Sequence, residues 1–586
     1  MATPTSVTAS RGGAFLLETT APADAFTPED FSEEHRAIAR SAADFVRNEI
    51  EPAGDRIERQ EPGLAVSILR KSAELGFTAS LVPEAYGGME LDLASAMIVA
   101  EALGVEGSYA AWHGAHSGIG TLPLLLFGTE EQKRKYLPRL ASAEMIAAYC
   151  LTEPQSGSDA QAARTRADLS PDGRHYILNG QKMWITNGAA ADFYTVFAKV
   201  DGEKLTAFLV ERAFPGVRPG AEEHKMGIRG SSTTAVYFDN VAVPVENVLG
   251  EIGRGHIIAF NILNLGRLML GPFAIGGAKQ VLRASLRYAK ERIAFGKAIA
   301  EFGLIRHKLA EMALRIYAAE SMTWRSIGLV QSEVAAGATM LKAAEEFASE
   351  SSLVKVFASE MLDFVVDEGV QIHGGYGYHQ DYLVERAYRD SRINRIFEGT
   401  NEINRLLATG MLLRRTQRGQ LPLVAAVKKL QGELFGAPAA VSFGERAPLA
   451  EELRMAENAK KVALFVLGVA YQRFLAELEQ EQEVLAASTD IIMNAFAIES
   501  AVLRAQKLGA SGRGELAGKM TAIFARSAMD TVDRAAREAL VACSEGDALR
   551  MNLSILKRFT KAEPVNAIGV RREIAGRLLE AGSYVV

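Results

Sequence analysis

Cysteine is nearly absent: Cys150 and Cys543 are the only two in 586 residues. Two thiols alone cannot build a disulfide framework or a zinc site, and so low a count fits a reducing compartment. Positive charge is not in excess either. The net charge of −6 excludes the broad basic footprint of a nucleic-acid binder and confines any anion site to a local cluster. Long apolar runs are missing. The longest, VALFVLGVAY (462–471), falls short of the about 20 residues a membrane span needs and reads as a buried helix. The first 30 residues carry no basic segment followed by an apolar run, so no secretory leader is expected, and Glu18 and Asp24 argue against a transit peptide. No G-x-G-x-x-G follows a strand and no G-x-x-x-x-G-K-[ST] occurs, so a dinucleotide must be held by another device.

What is present is a large globular chain, 48% hydrophobic and 23% charged, long enough for several domains. After an N-terminal arm (1–26), residues 27–148 have helical periodicity. Thr27-Pro28 reads as a helix start, followed by acids at 29 and 30, and Ile38, Ala42, Phe45 and Val46 recur on one face. The period then changes. DFYTVFAKV and KLTAFLVE flank Asp201-Gly202, a hairpin signal, and TTAVYFDNVAVP is a further strand. Residues 149–255 therefore read as a small antiparallel β domain. Helical spacing returns over 256–418. Pro422, Gly432, Gly436, Pro438 and Gly444 mark 419–445 as a linker, and 446–586 is an additional helical domain. The expected fold is mainly α with a β domain in the middle.

Five segments carry the candidate chemistry. YCLTEPQSGSDA (149–160) offers the hydroxyls of Thr152, Ser156 and Ser158, and Gly157 lets backbone approach a ligand. KMWITNG (182–188) places Trp184 and Thr186 two apart on a strand, on one side, where an indole face and a hydroxyl suit a flat heteroaromatic ring. ERIAFGK (291–297) supplies Arg292, whose planar fork suits a diphosphate, with Phe295 and Gly296. QIHGGYGY (371–378) presents Gln371, Gly374 and Gly375 at the end of a helix. RIFEGTN (395–401) puts Glu398 before Gly399 and Thr400, at the opening of a further helix. Each is ordinary in isolation: a surface turn, a core tryptophan, a solvated arginine, a glycine helix stop and an acid at a helix start. His113 and His116 read as helix-packing residues, and His373 with His379 has no third ligand, so no metal is expected.

Taken in order, these motifs resemble the acyl-CoA dehydrogenases over roughly residues 30–415. The resemblance implies an FAD-dependent α,β-dehydrogenation of acyl-CoA thioesters, with Glu398 as the general base, its pKa raised in a dry pocket. By the same resemblance, Tyr149, Leu151 and Thr152 line the flavin, Ser158 faces flavin and ligand, Trp184 lies against the ring, and Thr186 bonds near its reactive nitrogen. The resemblance places Arg292 on the flavin diphosphate of the neighbouring subunit and counts Phe295, Thr400 and Glu402 among the cofactor-binding residues, while Gln371, Gly374 and Gly375 could present side-chain and backbone groups to a diphosphate or adenosine. Asn264, Arg267 and Gly399 fall where the family contacts substrate. Some relatives carry the base on another helix, at the position of Gly266 here, which cannot serve. A glutamine carried by some relatives is Gly303, which leaves that adenine-side contact open.

The extra C-terminal domain resembles the very-long-chain branch, whose members are dimers, and implies a homodimer that passes electrons to an electron-transferring flavoprotein. Two other readings stay open: an acyl-CoA oxidase that uses oxygen, and a non-catalytic respiratory-complex assembly factor. Ala111, Ala115 and Gly118 fall at i, i+4, i+7 of the helix that closes the acyl pocket in this family, with Gly114 beside them. A nearly bare face there is expected to leave a channel for a long acyl chain, though it equally permits close helix packing. Lys428 and Lys429 are the basic residues that would serve a peripheral membrane contact. The expected location is cytoplasmic for a bacterial chain, or the mitochondrial matrix for a eukaryotic one.

Overall fold

The computed structural model describes residues 11–435 and 449–586. The chain folds into two compact units that cut across the sequence domains. The first comprises 32–277 and 386–398; the second comprises Met1–Phe31, Ala278–Glu385 and Gly399–Val586.

The first unit opens with helix Glu33–Phe45, later than Thr27-Pro28 suggested. Thr27 and Asp30 do form a capping box, but around a single 3-10 turn, Pro28–Asp30, and Phe31 then leaves helical geometry. Ser32 is the working cap, accepting from the His35 backbone N–H. The expected apolar face is real: Ala42, Phe45 and Val46 are buried with Leu103 and Tyr109. Helices Leu93–Leu103, Gly107–His113 and Glu130–Ala141 follow.

The chain then enters one mixed sheet. Its strands are β1 (Ala147–Cys150), β2 (Arg166–Leu169), β3 (His175–Thr186), β4 (Phe193–Val200), β5 (Lys204–Glu211), β6 (Val217–Glu222), β7 (Thr233–Pro244) and β8 (Val248–Leu249). They lie in the order β6-β7-β3-β2-β4-β5-β8, with β1 paired to β4. The Asp201-Gly202 hairpin joins β4 to β5 in register. Most pairings are antiparallel as expected. The exceptions are β1 and β2, each parallel to β4, because the chain reaches them through long connections rather than tight turns.

Helix Gly255–Glu291 begins in the first unit and runs into the second. In the first unit it presses on Leu93–Leu103. A methyl group on Gly104 would stand 2.2 Å from the Phe273 carbonyl oxygen, and one on Gly276 would stand 1.9 Å from that of Glu101. Only glycine allows this approach, which fixes the depth of the helix against its neighbour.

The second unit is helical. Gly303–Ala335 and Ala348–His373 carry its first part, and Asn401–Gln417, Ala450–Phe474, Gln482–Ala510, Glu515–Cys543, Gly546–Thr560 and Ala567–Ala581 complete it. VALFVLGVAY lies inside Ala450–Phe474, largely buried. Gly255–Glu291 and Gln482–Ala510 are long and apolar enough to cross a membrane by length and composition, but 67% and 89% of their apolar windows are buried in protein. The described part of the N-terminal arm belongs to this unit: Arg325 Nη2 donates to Thr20 Oγ1 at 2.8 Å, and the Gly13 N–H donates to buried Glu350 at 2.7 Å. The linker expectation for 419–445 needs correction. Leu423–Phe435 is a helix, and Leu423 and Leu430 are buried. Their i, i+7 spacing outweighs the one exposed helix glycine, Gly432. Residues 436–445 lie outside the described residues.

Candidate functional site

Glu398 follows a 3-10 turn, Arg392–Arg395, and takes a left-handed backbone, φ +57°, before Gly399 at +79°. A glutamate in that region is strained and persists only where its surroundings over-determine it. Two contacts from helix Gly255–Glu291 do so. Its carboxylate lies on Gly266, where a methyl group would stand 2.6 Å from Oε2. Its carbonyl accepts from Arg267 Nε at 3.1 Å, while Arg267 Nη1 donates to Asn264 Oδ1 at 2.8 Å. Arg267 is buried; desolvation lowers its pKa and the Glu398 charge opposes that shift. Tyr149 feels the same charge. Burial first, and Glu398 second, hold its phenol well above the ordinary value. Tyr149 Oη is buried with no hydrogen-bond partner among the described residues, an arrangement expected of a group awaiting a ligand. The helix-cap role open to Glu398 is filled by Thr400, whose Oγ1 accepts from the Ile403 N–H at 3.2 Å.

The 149–160 segment is tied to β3 by a buried ion pair that sequence reasoning did not single out. Lys182 Nζ donates to Glu153 Oε1 at 2.6 Å and to the Leu151 carbonyl at 3.1 Å. Glu153 also accepts from the backbone N–H groups of Arg164 and Thr165. These bonds hold its pKa below the usual range against desolvation. The Met183 N–H donates to the Thr152 carbonyl at 2.9 Å. The signal was within reach, since Glu153 and Lys182 both sit inside the motifs named above. Leu151 is buried, Thr152 half-buried and Ser158 exposed, and a methyl group on Gly157 would meet nothing within 4 Å.

Strict alternation along β3 would put Lys182, Trp184 and Thr186 on one face. A bulge between Lys182 and Ile185, with Trp184 at φ +59°, breaks it. Lys182 therefore points into the core, while Trp184 and Thr186 flank buried Ile185 on the other side. Trp184 is left 54% exposed.

The other positions expected from the sequence to serve the cofactor lie in the second unit. Ile293–Ala294 and Lys297–Ala298 pair as a short hairpin whose tip is Phe295-Gly296, both with positive φ. Phe295 is 96% exposed. Arg292 is exposed at its base, with its guanidinium 5.7 Å from the Tyr376 ring centroid. Gln371 is exposed, and Gly374 ends helix Ala348–His373 at φ +60°. Methyl groups on Gly374 and Gly375 would meet nothing within 4 Å. Buried Lys355 donates to the Gly399 carbonyl at 2.7 Å. Glu402 is exposed, and bonds to its own backbone N–H and to Thr400 lower its pKa.

Ala111 lies in helix Gly107–His113, whereas Ala115 and Gly118 lie in a wider π-helical segment, Gly114–Gly120. The i, i+4, i+7 face assumed 3.6 residues per turn, and the wider turn rotates the last two positions away from it. Met269 packs opposite Gly118 and Phe273 opposite Gly114. His116 is buried and bridges the Leu140 carbonyl and the Ala147 N–H, each at 3.0 Å. Burial lowers its pKa to about 4, and that of His113 to about 3. Among the described residues no cluster of three or more His, Cys, Asp or Glu could hold a metal.

Comparison with known proteins gives consistent matches along the chain. Family models match residues 32–144 (acyl-CoA dehydrogenase, N-terminal domain), 148–241 (middle domain), 253–412 (C-terminal domain) and 458–558 (a second C-terminal domain model). A probable acyl-CoA dehydrogenase of Bacillus subtilis is 48% identical over 98% of both chains. The bovine mitochondrial very long-chain specific acyl-CoA dehydrogenase is 45% identical over 60% of this chain and 53% of its own. The crystal structure of an acyl-CoA dehydrogenase complexed with FAD from Bacillus anthracis superposes with a TM-score of 0.96 at 47% identity, covering 99% of this chain and 100% of that one.

Proposed function

The chain belongs to the acyl-CoA dehydrogenase family, and from that premise we propose that it desaturates long-chain acyl-CoA thioesters to trans-2-enoyl-CoA, with Glu398 as the base. The observation that carries this reading is the Glu398 carboxylate lying on the bare backbone of Gly266. A carboxylate in that place reaches a thioester α-carbon only if no side chain stands at 266, and none does.

FAD is the cofactor of this family, and this chain's residues fit it. Trp184 offers an exposed indole face on a bulge that turns it out of the core. Tyr149 offers a buried hydroxyl without a partner among the described residues. Gly157, Gly374 and Gly375 leave backbone open to close approach. Tyr149, Leu151, Thr152, Ser158, Trp184 and Thr186 would hold the flavin end, and Arg292, Phe295, Gln371, Gly374, Gly375, Thr400 and Glu402 the remainder. When bound, FAD supplies an acceptor for the β-hydride.

The chain's own part is proton removal and positioning. Glu398 takes the α-proton of the thioester, and a water-poor site makes it a stronger base. The Glu398 backbone N–H is the chain's donor to the thioester carbonyl, which stabilises the enolate-like charge as an oxyanion hole does. Arg267 and Asn264 hold the Glu398 main chain in its left-handed turn, so the carboxylate is aimed before substrate arrives. Electrons then leave to an electron-transferring flavoprotein. The exposed Phe295 hairpin supports a homodimer in which Arg292 serves the neighbouring subunit. The preference for long chains is supported by the very long-chain specificity in the name of the bovine relative.

The test is a visible spectrum of the purified protein, followed by anaerobic addition of acyl-CoAs of graded length. Flavin absorbance that bleaches faster with palmitoyl-CoA than with butyryl-CoA is expected. Maximal bleaching with butyryl-CoA would sink the long-chain reading. Readmitting air or adding electron-transferring flavoprotein then identifies the acceptor, and rapid peroxide formation would favour an oxidase.

A further inference from the structure

Gly266, Met269 and Phe273 fall at i, i+3 and i+7 of helix Gly255–Glu291, so they share one face. The Glu398 carboxylate lies on the first of them. All three are half-buried, while Arg267, Leu268, Leu270 and Ala274 between and beside them are buried. This face therefore keeps accessible surface where the flanking positions have none. Opposite it, the missing side chains of the π-helical segment do not leave an empty slot. A methyl group on Gly118 would stand 3.4 Å from Met269 Sδ, and one on Gly114 would stand 3.3 Å from Phe273 Cε2. The room vacated by the glycines is taken up by Met269 and Phe273.

We propose that Met269 and Phe273 are the residues that set the acyl-chain length limit: Met269 as a displaceable plug and Phe273 as the stop behind it. This rests on the acyl-CoA reading above. The α-carbon belongs at Glu398, and the apolar stripe leading away from Gly266 is the path for the acyl tail. At 1.5 Å per residue, Met269 lies about 4.5 Å and Phe273 about 10 Å along the helix axis from Gly266. Met269 has three rotatable bonds and a soft thioether, so it can swing aside for a chain that reaches it. Phe273 is a stiff plate with two rotatable bonds. The glycines opposite act indirectly, as the surface against which Met269 and Phe273 pack.

The test uses the Glu398→Gln holoenzyme, titrated through its flavin spectrum with saturated acyl-CoAs of increasing even length. Affinity is expected to rise by up to roughly tenfold for each two methylenes buried and then to level off. Adding Phe273→Ala should move the plateau to longer chains by at least two carbons. Adding Gly118→Val, whose two branches extend beyond a Cβ that already stands 3.4 Å from Met269 Sδ, should force Met269 into the path and weaken long chains by about tenfold or more, with a smaller effect on short ones. Should Phe273→Ala fail to fold, Phe273→Leu trims the same stop with less cavity. A plateau at the same length in all these variants would overturn the proposal. No response to an acyl-CoA of any length would instead reject the acyl-CoA reading, and this proposal with it.

Discussion

Gly266 and Glu398 are 132 positions apart in sequence, yet a single methyl group on the glycine would collide with the carboxylate, 2.6 Å from Oε2 and 2.9 Å from Cδ. The proposed base and the absence of a side chain at 266 are one feature of the fold. Gly266→Ala should therefore separate activity from stability. Alanine is favoured over glycine within a helix by roughly 0.5–1 kcal/mol, so the melting temperature should hold or rise. Turnover should fall at least about tenfold as the carboxylate is displaced, since misplacement by about 1 Å can cost ~10²-fold. Unchanged turnover in a stable Gly266→Ala enzyme would mean the carboxylate does not work from this place.

Arg267 is expected to act through the main chain. Arg267→Lys keeps a charge but loses the fork that reaches both the Glu398 carbonyl and Asn264 Oδ1. The expected result is a stability loss of roughly 1–3 kcal/mol, the usual cost of orphaning buried polar groups. It should come with a fall in kcat larger than any rise in KM. A change confined to KM would assign Arg267 to substrate binding instead.

Breaking the Lys182–Glu153 pair should damage the flavin-side loop. Lys182→Met leaves a buried carboxylate short of its cation, a change that typically costs about 3–5 kcal/mol. Chemical denaturation and flavin content should both report it, and Lys182→Met with Glu153→Gln should recover part of the loss. Full flavin occupancy at wild-type stability in the single variant would contradict this.

The β hairpin and the buried helix at 462–471 were legible because each depends on local period or turn chemistry. Asp201-Gly202 and the strands beside it need nothing from the rest of the chain. The bulge that turns Trp184 outward depends on how β3 pairs with β7, and the π-helical segment at 114–120 depends on what packs against it. The Arg267–Glu398 bond spans 131 positions. Such contacts leave no periodic trace, so the sequence could name Arg267 without its partner. The helix at 423–435 was obscured by Gly432 within it and by the glycines and prolines on either side of it in the sequence.

A pH dependence follows from a buried acidic cluster in the first unit. Burial, reinforced by Glu106, raises the Asp390 pKa to about 8, and burial raises that of Glu106 to about 7. Glu58, Arg386, Arg389 and Lys225 are the neighbouring charges. Both carboxyls bind protons more tightly in the folded state than in the unfolded state. Their contribution is fully present below the unfolded values of about 4 and is lost as pH rises through about 8. The melting temperature should fall between about pH 5 and pH 9, and Asp390→Asn should flatten the slope. A rise over that range, unchanged in the variant, would contradict the account.

The most direct measurement is rapid anaerobic mixing of Glu398→Gln with palmitoyl-CoA, followed by flavin absorbance. The account expects a protein that keeps its flavin and binds the thioester, yet bleaches slower than wild type by at least roughly 10²–10⁴-fold, the usual contribution of a general base. Bleaching at close to the wild-type rate would contradict it.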